Sequence, residues 1–103
     1  MASETEDYMR KKTDEALLEC IIENDKENII LDLKTFNSNE KIIKSRIILE
    51  IAKQIFGTTK GIEKVHIEDI IKLCGNNIGN KFLTPNKYFK VYVNDGKIYF
   101  SKI

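Results

Sequence analysis

Few side chains in this chain could do chemistry, and they are scattered. There is one histidine, His66, and two cysteines, Cys20 and Cys74, far apart and outside any CxxC pairing. A zinc site takes four N or S ligands, usually in closely spaced pairs, so no metal is expected. His66 has no Ser, Cys or carboxylate at the spacing of a catalytic pair and reads as a boundary residue, hydrogen-bonded locally. Glu68 and Asp69 are neighbours on a helix and point about 100° apart, a solvated surface rather than an acid–base pair. The glycines Gly57, Gly61, Gly75, Gly79 and Gly96 punctuate the chain, and none builds a phosphate-cradling loop. No catalytic residue is expected here.

The stretch with a functional look is KVYVNDGKIYF, Lys90 to Phe100. Asn94-Asp95-Gly96-Lys97 is a hairpin turn with Asp-Gly at its centre, the type I′ signature. That turn sets the register: Val93 faces Ile98, Val91 faces Phe100, and Phe89 continues an apolar side. The other side carries Lys90, Tyr92, Asn94, Lys97, Tyr99 and Ser101, with Tyr92 opposite Tyr99. Interleaved aromatic and basic side chains on a sheet can hold unpaired RNA, the rings stacking on bases and the lysines meeting phosphates. Residue types alone give the plainer reading the stronger claim: a cross-strand tyrosine pair on a wet face. Arg46 and Lys53 form a second basic candidate, with Glu50 between them.

Elements that could position these residues are well marked. Asn37 to Gly57 reads as a helix whose apolar residues Ile42, Ile47, Ile48, Leu49, Ile51, Ala52, Ile55 and Phe56 sweep about 220°. Only Arg46, Glu50, Lys53 and Gln54 are left as a polar strip, with Arg46 and Glu50 spaced for mutual support. Lys44 and Ser45 break into the apolar arc. Asn37 and Glu40 stand at capping-box spacing, and Gly57 suits the stop. A helix with so wide an arc belongs in the middle of a domain.

Around it, Glu4 to Glu23 reads as a first helix, apolar mainly in its second half. Asn24 to Asn28 is a polar loop, and Ile29 to Leu33 a strand or extended linker. Thr58 to Gly61 is a turn, and Glu63 to Cys74 a third helix with the stripe Ile67, Ile70, Ile71, Cys74. Phe82 to Ile103 reads as a meander broken after its first strand at Pro85-Asn86. The expected fold is α+β: three helices organised around the buried central one, with a small three-stranded antiparallel β-meander at the C-terminus.

The 103 residues, 42% hydrophobic and 32% charged, describe one soluble domain. No apolar run is long enough to span a membrane, the N-terminus is not a signal peptide, and unpaired cysteines suit a cytoplasmic protein. The net charge of +1 conceals a split. Residues 1–40 hold five Lys/Arg against eleven Asp/Glu, a net of −6, and residues 41–103 hold twelve against five, a net of +7. A basic half of this kind fits a polyanionic partner.

The order of the pieces resembles a known family. A leading helix is followed by an extended LDL segment and by a long helix with basic residues amid aliphatics, KIIKSRIILEIAKQI. Then come a short helix opening on His-Ile, VHIEDIIKL, and a final meander, KFLTPNKYFKVYVNDGKIYF. Over about residues 6 to 101 this resembles the region that follows the ATPase domain of tRNA(Ile)-lysidine synthetases, PP-loop enzymes. Thr84 stands between Leu83 and Pro85, where the family runs Leu-Pro directly, and Asn86-Lys87 stands where a glycine is usual.

The resemblance implies a parent enzyme that uses ATP and Mg to adenylate the wobble cytidine of a tRNA and then joins lysine to it. The Ser-Gly-Gly-x-Asp-Ser motif of that chemistry has no counterpart here, so the resemblance carries over a role, helping to position tRNA, and no catalytic residue or cofactor. It also implies that residues 1–23 are a linking helix from an absent N-terminal PP-loop domain, and that residues 24–103 form a compact substrate-recognition domain. The nucleic-acid-binding candidates are then Lys90, Tyr92, Lys97, Tyr99, Arg46 and Lys53. The alternative is a helical protein–protein or dimerisation module, with a homodimer as its simplest form.

Overall fold

In a computed structural model, residues 4–25, 27–57, 61–75, 81–86 and 89–102 are described. The helix Lys41–Phe56 (α3) buries Ile43, Ile47, Ile48, Ile51, Ala52 and Ile55. Those six span about 180° at 100° per residue. The arc is therefore narrower than expected and turned toward Ile43. Ile42 is 52% exposed, and Leu49 and Phe56 are half-buried. Ser45 settles its hydroxyl by donating to the Lys41 carbonyl at 2.9 Å. Gly57 closes the helix in the left-handed conformation, φ 76°. The expected capping box is absent, because Glu40 is the N-cap and makes no side-chain cap bond. Asn37 lies one element earlier and donates instead to the Cys74 carbonyl at 3.0 Å.

Helix α1 (Glu4–Cys20) lays Thr13, Ala16 and Cys20 against this core, with Met9 and Leu17 beside them. Thr13 is buried and satisfies its hydroxyl on the Met9 carbonyl at 2.7 Å. The helix was expected to continue to Glu23. It stops at Cys20, and Ile21–Asn24 becomes a strand, β1. Its partner is β2 (Asn28–Asp32), paired Ile21 to Leu31, Glu23 to Ile30 and Asn24 to Ile29 around a bulge. Pairing with β2 here outweighs the helical period of the preceding turns, although β1 itself buries little, Ile21 being half-buried and the residues after it exposed.

Asp32 then caps a short helix, α2 (Leu33–Asn37), accepting from the Thr35 N–H at 2.9 Å and the Thr35 hydroxyl at 2.7 Å. Those two bonds hold the Asp32 carboxyl below its usual pKa. Helix α4 (Lys64–Gly75) buries Ile67, Ile70 and Cys74. Its start is fixed reciprocally: His66 donates its N–H to the Glu63 carbonyl at 3.0 Å, and the Glu63 N–H donates to His66 Nδ1 at 2.9 Å. The histidine is thus bonded locally, its Nδ1 used as an acceptor.

The meander is present as β3 (Lys81–Asn86), β4 (Phe89–Asn94) and β5 (Lys97–Lys102), but the sheet does not end there. Strand β2 pairs along β5 from Asn28 opposite Ser101 to Asp32 opposite Lys97, giving a five-stranded antiparallel sheet in the order β1-β2-β5-β4-β3. Among the described residues, four helices and five strands replace the expected three and three, and the class remains α+β. The inner sheet face, Ile29, Leu31, Phe89, Val91, Val93, Ile98 and Phe100, is buried. Phe89 stacks on Phe100 at 6.0 Å and takes the Phe56 ring edge-on at 5.2 Å. Of the expected turn at 58–61, residues 58–60 lie outside the described residues, while Pro85-Asn86, expected to break the first strand from the second, still belong to β3, whose register with β4 shifts between Leu83 and Asn86.

The hairpin register is the expected one, with Val93 opposite Ile98, Tyr92 opposite Tyr99 and Val91 opposite Phe100. Asp95 and Gly96 both have positive φ, 51° and 74°, as a type I′ turn requires. The Gly96 carbonyl also accepts from the Leu33 N–H at 2.9 Å, tying this turn to the start of α2. A Cβ on Gly96 would touch nothing within 4 Å, so Gly96→Ala tests the backbone alone. It is expected to cost about 1 kcal/mol in denaturant unfolding.

A candidate nucleic-acid interface on the outer sheet face

The solvent side of the sheet carries one row that crosses all five strands. Phe82 pairs with Tyr92, Tyr92 with Tyr99, Tyr99 with Ile30 and Ile30 with Glu23. Phe82 is 60% exposed, and Tyr92, Tyr99 and Ile30 are half-buried. The two tyrosine rings lie 5.7 Å apart, tilted by 43°. Lys90 stands over this row, its ammonium 5.1 Å from the Phe82 ring centre and 6.0 Å from that of Tyr92. Three flat rings and one cation share the exposed surface. Such a surface can stack unpaired bases and meet a phosphate.

Next to it is a cavity of about 470 Å³, lined by Lys90, Tyr92, Tyr99 and Ser101 on one side and by Glu23, Asp25, Asn28 and Ile30 on the other. The face is therefore graded in charge, basic along β4 and acidic along β1. Sequence reasoning misses Glu23, Asn28 and Ile30 because it takes β1 for the end of the first helix and a loop, and β2 for a loop followed by a strand or extended linker; it misses Phe82 because it assigns no register between β3 and β4. The signal was there: two Ile-Ile pairs flank a polar stretch rich in Asn and Asp, the composition of a hairpin with a short loop.

Of the expected binding residues, the structure brings Lys90, Tyr92 and Tyr99 together. Lys97 lies at the far end of the sheet, in a separate depression with Asp32, Lys34 and Asp95. Arg46 and Lys53 are on α3. Arg46 does not use Glu50; its guanidinium donates to both carboxylate oxygens of Glu6, at 3.1 and 3.3 Å, and joins α3 to α1. This pairing holds the Glu6 carboxyl below its usual pKa. Lys53 is exposed.

Neither thiol is placed for nucleophilic work. Burial pushes Cys20 up to about 11 and Cys74 up to about 12, so both stay protonated at neutral pH. With folded pKa values raised above the ordinary 9.0, their contribution to stability is complete below that value and is lost as the pH climbs toward 11 to 12. In the folded protein at pH 8, a disulfide reagent is expected to label neither cysteine within minutes, and to label both at once after addition of denaturant. Among the described residues, no cluster of His, Cys, Asp or Glu could hold a metal ion, and no helix is long and apolar enough to cross a membrane.

No protein-family model matches the chain. Over 86 residues, 84% of its length, it is 31% identical to tRNA(Ile)-lysidine synthase of Clostridioides difficile (strain 630). The chain is similar to a segment of that synthase. It spans 19% of the length of the synthase, so the likeness is to a fragment of the larger protein.

Proposed function

We propose that this chain is the tRNA-contacting segment of a tRNA(Ile)-lysidine synthase-like protein in the cytoplasm. It helps to position the tRNA while a separate PP-loop domain, using ATP and Mg, joins lysine to the wobble cytidine. The observation that carries this reading is the 31% identity spread over 84% of the chain. The row of three exposed or half-buried rings with Lys90 over it supports the outer sheet face as the surface that meets the tRNA. Helix α1, anchored to α3 through Glu6 and Arg46, is the link to the PP-loop domain. The chain itself supplies no step of the chemistry.

Fluorescence anisotropy with labelled tRNA, repeated across salt concentrations, tests this. Weak binding that falls steeply with rising salt is expected, because each neutralised phosphate releases counterions. No change in anisotropy even at the lowest salt would overturn the reading. A second reading, a dimerisation module, is favoured by the exposed apolar side chains Leu18 on α1 and Ile22 on β1, 74% and 50% exposed, together with the position of β1 at the edge of the sheet. A concentration-independent monomer mass in gel filtration would remove it.

A further inference from the structure

We infer that the cavity beside Tyr99 is a guanine-selective subsite, taking the base of one unpaired guanosine of RNA with its phosphate on Lys90. The inference rests on the RNA-binding role proposed above and adds a base preference to it. Neighbouring strands lie about 4.8 Å apart, so the backbones of Tyr99 and Glu23, separated by β2, are roughly 10 Å apart. The half-buried Ile30 lies between them as an apolar floor. A planar base laid over Ile30 meets the Tyr99 ring at one side and presents an edge to the Glu23 carboxylate at the other. Lys90, on the same cavity wall as Tyr92, is placed for the nucleotide's phosphate.

The carboxylate is what selects. It only accepts hydrogen bonds, so it prefers the base edge richest in adjacent donors. Guanine presents N1–H and the N2 amino group side by side, and one carboxylate takes both. Uracil presents a single N–H between two carbonyl oxygens. Adenine and cytosine each set one amino group beside a ring nitrogen whose lone pair opposes the carboxylate. Asn28, which lines the same cavity, adds an amide able to meet the guanine O6.

The test uses the full chain and labelled pentanucleotides UUUUU, UUGUU, UUAUU, UUCUU and the inosine analogue UUIUU, at one low salt concentration. UUGUU is expected to bind roughly tenfold more tightly than UUUUU, the size of one well-placed bidentate contact. UUIUU, lacking the N2 amino group, should fall between them. Glu23→Gln should remove the preference, so that UUGUU and UUUUU bind alike. Glu23 is exposed, so this variant folds as the parent does. Equal binding of all five oligonucleotides, or a guanine preference unchanged in Glu23→Gln, overturns the subsite while tRNA binding still stands. Failure to bind tRNA would remove the RNA role itself. Competition by free GMP at the concentration effective for UUGUU would transfer the cavity to free nucleotides and overturn the RNA assignment.

Discussion

Ile51→Ala is expected to lower the unfolding free energy by about 2–5 kcal/mol, measured by denaturant melts. Ile51 lies near the middle of the buried arc of α3 and is fully buried, as are Ile47 and Ile48. Truncation removes three carbons from the core cluster of a helix that packs against α1 and α4 and against strand β5. None of these can collapse into the space without moving the others. Against a total of roughly 5–15 kcal/mol for a small domain, such a loss leaves much of the population unfolded on mild heating. A change below about 0.5 kcal/mol would mean that α3 is not the element the domain is built on. Ile42→Ala, on the exposed side of the same helix, is the matched control and should change little.

The second large effect concerns binding. Lys90→Ala combined with Tyr99→Ala should weaken tRNA binding by roughly ten- to a hundredfold, chiefly through the loss of one stacked base. The same double variant should reduce the salt slope by about one unit, the contribution of one phosphate contact. Arg46→Ala separates this surface from α3. Its guanidinium is committed to Glu6, so its removal should disturb the α1–α3 join more than RNA affinity. Lys97→Ala, in its own depression, reports on the far end of the sheet. Binding curves for the Lys90/Tyr99 variant that superimpose on the parent would leave the outer face an ordinary wet surface.

The C-terminal hairpin was legible in detail because its turn has a demanding chemistry. Asp-Gly at the centre of the turn fixes both positive φ values, and the turn fixes the register of every residue from Phe89 to Ser101. Helix α4 was legible within a residue at each end, and His66 had only a local role to play. The N-terminal hairpin was not legible, for a physical reason. Ile21-Ile22 continue the apolar stripe of α1, so the helical period hides a strand stabilised by Leu31 and Ile30 across the sheet. Local periodicity carries no record of a partner ten residues away. Asp32 misled in the same way: its cap on Thr35 ends the strand and starts α2, a DLKT signal easily absorbed into the approach to α3. Half of the candidate interface went unseen with these residues, because Glu23 and Ile30 acquire their place only when β2 docks on β5.

That docking also dictates when the sheet can form. The central strand, β5, is the one furthest along the chain, and β2 waits for it across all of α2, α3, α4 and the first two meander strands. Closing that span costs loop entropy before any ladder bond repays it, so the step is expected to be slow compared with helix formation. On a ribosome the β1–β2 hairpin would emerge early, with Ile29 and Leu31 at first uncovered and one edge of β2 open until Lys102 had cleared the exit tunnel. The helices are then the natural early partners of that apolar pair, sheltering it while the meander is made. A chain cut just before Lys97 would keep its helices and both outer hairpin strands, yet lose the strand on which the two halves of the sheet meet.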